Sequence, residues 1–144
     1  MSKLIAMLML AAAMASPAHA FEVGDPIKFR SDQSPGCALL EDAKQAPWNG
    51  TASQKKEFAN GMTGEGFYTA MKTMKKTPSL DEWGALVRKF HVCQIFFGND
   101  AFVSGFDPYR VAEKADGYVC VDTYDPKGQR TSAACLWTRE SEGN

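Results

Sequence analysis

Gly117–Thr138 reads GYVCVDTYDPKGQRTSAACLWT, and the use made of its two cysteines decides what kind of fold this chain has. GYVCVDTY and SAACLWT are dense in β-branched and aromatic residues, and the stretch between them is turn chemistry, so the segment reads as a β-hairpin. With Lys127-Gly128 as a tight loop, residues whose numbers add to 255 face each other. Cys120 then stands opposite Cys135 and Tyr118 opposite Trp137 on one face, with Val119 opposite Leu136 and Val121 opposite Ala134 on the other. One register sorts thiols, aromatics and aliphatics together, which predicts a Cys120–Cys135 disulfide. Pro-Lys-Gly-Gln is not the favoured Asn-Gly or Asp-Gly turn, so a longer loop with a slightly shifted register is the alternative.

The chain holds four cysteines, Cys37, Cys93, Cys120 and Cys135. An even count in a small exported protein reads as two disulfides. Zinc sites and thioredoxin-like redox sites both use close pairs such as C-x-x-C, which the chain lacks. Once Cys120 pairs with Cys135, Cys37 is left for Cys93. Loop entropy assigns the two bridges about 3 and about 4 kcal/mol respectively.

Export is read from the first twenty residues. Lys3, the apolar run LIAMLMLAAAMA and the small-residue end Ala18-His19-Ala20 have the form of a secretory signal peptide cleaved after Ala20. The apolar run stops at Ser16-Pro17, short of the roughly 20 residues a membrane span needs. No later stretch is long and apolar enough to span, so Phe21–Asn144 is expected to be one soluble domain in the periplasm or secreted. Loss of Lys3 with the leader leaves 15 basic and 17 acidic side chains. So balanced a chain offers no case for nucleic acid or an anionic membrane. Lys72, Lys75 and Lys76 cluster on what reads as one helical face, a solvated one opposite Phe67, Met71 and Met74.

Three zones follow one another. FEVGDPIKFRSDQSPGCALL suggests a short strand, a turn at Ser34-Pro35-Gly36 and an extended segment at Cys37. Residues 41 to about 91 read as helical. Ser79-Leu80-Asp81-Glu82 is a capping-box signature, followed by Trp83, Val87 and Phe90 at helical spacing. GEGFYTAMKTMKK is a second helix ending before Thr77-Pro78, and Thr51–Asn60 a third, broken by Gly61 and Gly64. The last zone, HVCQIFFGNDAFVSGF, GYVCVDTY and SAACLWT, reads as strands, with a hairpin turn at Gly98-Asn99-Asp100. There is no internal repeat and no low-complexity segment.

The order of a first strand, PGC, an acidic helix start, a cysteine before an aromatic strand, GYVCV and CLWT resembles small secreted bacterial proteins with an SH3-like β-barrel carrying a helical insertion. The resemblance implies an α+β fold: an SH3-like antiparallel barrel or sheet, two to three inserted helices and two disulfides. It also implies a Cys37–Cys93 bridge, in agreement with the pairing by elimination. SH3-like barrels host many functions, mostly binding.

Catalytic signals are few. His91, the single histidine after the leader, lies between Phe90 and Val92 at a helix-to-strand junction, where a structural role is expected. Carboxylates abound at Glu41, Asp42, Asp81, Glu82, Asp122 and Asp125, but Asp81 and Glu82 suit a helix start and Asp125 a turn. No nucleophile elbow, HExxH or phosphate loop is present. Asn49-Gly50-Thr51 matches a glycosylation sequon and is assigned no role, because the leader looks bacterial. The expectation is a non-enzymatic binding or interaction module of the bacterial envelope, without cofactor or metal, whose partner is an envelope protein, a peptide or a glycan. The alternatives are a carboxylate-dependent hydrolase of cell-wall or polysaccharide material and a small periplasmic inhibitor or exclusion factor. Phe96, Phe97, Phe102, Phe106, Tyr109, Tyr118, Tyr124 and Trp137 gather in the C-terminal half, and Asp107-Pro108 reads as a loop. From them Tyr109, Tyr118 and Trp137 are expected to line a shallow ligand groove.

Overall fold

The computed structural model describes residues 20–30, 33–98 and 107–144. The readings of the leader and of the Gly98-Asn99-Asp100 turn, and the places of Phe102 and Phe106, rest on residues outside these. The class is α+β. Five strands, β1 (Pro35–Cys37), β2 (Cys93–Ile95), β3 (Tyr109–Ala115), β4 (Tyr118–Thr123) and β5 (Leu136–Arg139), form an antiparallel sheet in the order β2-β1-β5-β4-β3. The sheet is open rather than closed into a barrel. Between β1 and β2 run four helices, α1 (Leu40–Ala43), α2 (Ala52–Met62), α3 (Glu65–Lys72) and α4 (Leu80–Lys89).

Two of the four helices, α2 and α4, start at a side-chain cap. Ser79 accepts the Glu82 N–H, and Thr51 and Gln54 satisfy each other's backbone in a capping box. α2 runs through Gly61 rather than breaking there, and α3 stops at Lys72, so Lys75 and Lys76 lie beyond it and the three lysines do not share a helical face. Pro35 and Gly36 lie in β1 rather than in a turn. A proline is tolerated as the first residue of a strand, and the bonds to β2 are made by its neighbours, Ser34 accepting from Phe96 and Ala38 donating to Val92.

Both disulfides are present, Cys37–Cys93 and Cys120–Cys135. The first links directly facing residues of β1 and β2. The second does not, because the β4–β5 register differs from the tight-hairpin one: Cys120 faces Trp137, Val121 faces Leu136 and Tyr118 faces Arg139. The turn is longer than two residues. Asp125 accepts the Gly128 N–H on its carbonyl and the Lys127 and Gln129 N–H groups on Oδ1, and Tyr124 bridges to Arg130. Ser132, Ala133, Ala134 and Cys135 then bulge out opposite Asp122 before pairing resumes, and the bulge brings Cys135 back to Cys120 at a Cα distance of 5.2 Å.

β3 is a strand the sequence reading passed over. Tyr109–Ala115 joins β4 through Asp116-Gly117, both at positive φ (54° and 80°), the conformation of a two-residue hairpin turn. One sheet face is filled by Val119, Val121, Val111, Tyr109 and Phe96 under Phe21, Ile27 and Phe29. That N-terminal stretch forms isolated bridges to Arg110 and Gly143 in place of the expected strand. The other face carries Cys37, Cys93, Tyr118 and Trp137 against Ala43, Trp48, Phe58, Ala59 and Met62 from α1, α2 and the segment between them. Among the described residues no helix is long and apolar enough to cross a membrane, and the two disulfides fit an extracytoplasmic compartment.

Candidate functional site

Facing residues in adjacent strands point to the same side of a sheet. The registers therefore lay one row straight across all five strands: Cys93, Cys37, Trp137, Cys120, Glu113. Trp137 sits half-buried between the two disulfides. Tyr118 lies on the same side, half-buried and edge-on to Trp48 at 5.9 Å between centroids. Tyr109 is on the opposite side, 5 % exposed, edge-on to Phe29 and Phe96, its hydroxyl accepting the Phe97 N–H. The structure therefore does not bring Tyr109, Tyr118 and Trp137 together into one groove. Alternation across the pleat separates them, and Tyr109 is core.

The expected carboxylates have local occupations. Asp42 is buried and lies 2.8 Å from Nδ1 of His91, whose ring is more than half exposed and whose backbone takes φ 53° to turn the chain from α4 into β2. Among the described residues Asp42 is the sole side chain hydrogen-bonded to that ring, and the pair joins α1 to the α4–β2 junction. Asp81 and Glu82 occupy the first turn of α4, Glu41 that of α1, and Asp125 organises its turn. Asp122 is 6 % exposed, accepts from Ser132 Oγ at 3.0 Å, and lines a polar cleft of about 460 Å³ with Asp81, Arg88, Glu113 and Arg130. Glu113 also lies near Cys120 and Cys135, but both sulfurs are spent in the disulfide, so the three offer no thiolate to a metal.

At the surface, Lys44 bonds Asp116 at 2.8 Å and ties the end of α1 to the β3–β4 turn. That hydrogen bond, reinforced by the opposite charge, holds the Asp116 carboxyl below its ordinary value and the Lys44 ammonium above its own.

The α3–α4 pair is different in kind. Neither helix has a buried large side chain; Gly84 is the one residue of the two helices that is buried. The aromatic contacts of Phe67 outside α3 are to Trp83 and Phe90 in and just after α4, at centroid distances of 6.4 and 6.2 Å. Tyr68, Met71 and Leu80 are 57, 42 and 41 % exposed. Where α3 runs out towards α4, Met71, Met74, Lys75, Lys76, Thr77, Pro78 and Trp83 line an open concavity of about 290 Å³. Sequence reading placed the methionines and lysines on opposite faces because it continued the helix to Lys76. α3 ends at Lys72, and Met71, Met74, Lys75 and Lys76 share the lining of one concavity.

No protein-family model, no curated protein and no solved structure matches the chain.

Proposed function

We infer that this protein is a non-enzymatic interaction module of the bacterial periplasm, and that the α3–α4 pair is its docking face. The resemblance to secreted SH3-like proteins belongs to the same reading. One observation carries it: in a domain whose sheet is stapled twice, two consecutive helices keep Tyr68, Met71 and Leu80 exposed and leave Phe67, Trp83 and Phe90 only half-covered. Contiguous apolar surface of that kind marks an interaction site more often than it marks a monomer's ordinary exterior. A photo-reactive residue at Met71 is expected to give adducts with envelope components in cells, and one at Gln129, in the exposed β4–β5 turn, to give none. Equal labelling from both positions, or none from Met71, overturns the reading.

A second reading, a carboxylate hydrolase acting on envelope polysaccharide, draws on Asp122, a buried carboxylate held by Ser132 at the wall of the polar cleft. Cleavage of peptidoglycan by the native protein, lost in a folded Asp122→Asn variant, would carry it.

A further inference from the structure

The docking face has a charge that the chain as a whole conceals. From Gly66 to Leu80 the sequence contains three lysines, Lys72, Lys75 and Lys76, and no carboxylate. Between Phe21 and Asn144, the residues outside 65–90 carry 14 acidic against 10 basic side chains. The near-balanced total thus divides into a basic helical pair and an acidic remainder. Lys75 and Lys76 share the walls of the α3–α4 concavity with Met71, Met74 and Trp83. Lysine and tryptophan have apolar bodies with charged or polar tips and methionine is apolar to its end, a composition that suits a water–hydrocarbon boundary.

Resting on the docking-face reading above, we propose that this surface lies on an anionic bilayer. Met71, Met74 and Trp83 enter the headgroup boundary, and Lys75 and Lys76, which line the same concavity, meet lipid phosphates. Shape favours a bilayer over a peptide. A peptide that binds through a few hot spots needs an enclosed pocket in which an anchor side chain is fully desolvated, whereas the α3–α4 concavity is open along the surface. A lipid surface needs only a face with apolar residues and a basic rim.

The test uses the processed protein recovered with both disulfides from an expression host's periplasm. It should sediment with phosphatidylethanolamine vesicles containing phosphatidylglycerol and stay in solution with phosphatidylcholine vesicles. Each Lys→Gln change at 75 and 76 should weaken binding about five-fold, the ratio corresponding to about 1 kcal/mol per lysine at an anionic surface. Added salt should weaken it further. Tryptophan emission should shift to the blue on binding, and Trp83→Phe should remove that shift while Trp48 and Trp137 stay in place. Equal sedimentation with neutral and anionic vesicles, or unchanged binding by a Lys75→Gln/Lys76→Gln double variant, overturns the proposal. If vesicles fail while Met71 still gives protein adducts in cells, the bilayer is wrong and the docking face stands; if both fail, so does the docking face.

Discussion

The row Cys93, Cys37, Trp137, Cys120 and Glu113 crosses five strands with one disulfide at its first step and a second holding Cys120 to Cys135, whereas Phe67 meets Trp83 and Phe90 across α3 and α4 with none of the three fully buried. Both regions are rich in large apolar side chains. In the sheet these fill two faces, Phe29, Val119 and Val121 inward on one and Cys37, Cys93 and Ala59 on the other. In the helical pair they stay half-exposed. Local stability should follow that difference: sheet amides open only with the whole molecule, while α3 opens at lower cost. Rigid support and an adaptable surface are thereby assigned to different parts of one small chain.

The largest effect that can break this comparison comes from the staples. By loop entropy, Cys37→Ala/Cys93→Ala should lose about 4 kcal/mol and Cys120→Ala/Cys135→Ala about 3 kcal/mol, measured by denaturant unfolding. The difference arises from the sequence separations of 56 and 15 residues. Should either pair prove nearly neutral, or should the order reverse, the sheet is not the constrained region described here.

A pair of glycines sharpens the contrast. A Cβ on Gly36 would clash with the Phe96 ring, inside the core over β1. Gly36→Ala should therefore cost about 1–3 kcal/mol of global stability. A Cβ on Gly84 would meet the Ala133 carbonyl oxygen at 2.6 Å, where α4 leans on the β5 bulge. There the gain in helix propensity, about 1 kcal/mol, offsets part of the clash. Gly84→Ala should speed amide exchange in α3 and α4 and leave β4 and β5 nearly unchanged. Equal acceleration in helices and sheet would mean that the two regions unfold as one.

Legibility in the sequence divides along the same boundary. The cysteine pairing was readable because the Gly117–Thr138 pattern has few ways to place both thiols on one side, and the pairing survived a register that was wrong. The bulge at Ser132–Cys135 is what the pattern hid: it absorbs the difference, so Cys120 faces Trp137 and not Cys135. β3 was missed although Asp116-Gly117 is a strong two-residue hairpin signal and Tyr109, Val111 and Lys114 flank it in extended order. Asp107-Pro108 reads as a loop that would expose Tyr109, whereas the strand it enters buries that ring. Nothing local could have joined Asp42 to His91, 49 residues apart. Net charge concealed the basic helical pair because composition averages over positions that folding separates.

The smallest effect concerns the ion pair between the end of α1 and the β3–β4 turn, Lys44–Asp116. Asn tolerates positive φ and Asn-Gly suits the same turn, so Asp116→Asn removes the charge while keeping the backbone. The Asp116 carboxyl is held below its ordinary value of 3.8 by the Lys44 hydrogen bond, so its contribution is fully present above that value and is lost as pH falls through the lowered one. Lys44 is held above its ordinary 10.5, so its contribution is fully present below 10.5 and is lost as pH rises through the raised value. The pair therefore contributes across the whole neutral range. Both side chains are exposed, so the contribution is small and screened by salt. Thermal midpoints at low salt should show Asp116→Asn slightly below the native protein at neutral pH, with the gap closing in strong acid and on adding salt. A gap that persists in strong acid would show that the substitution acts on the turn itself and that this ion pair does not help hold the helical face to the sheet.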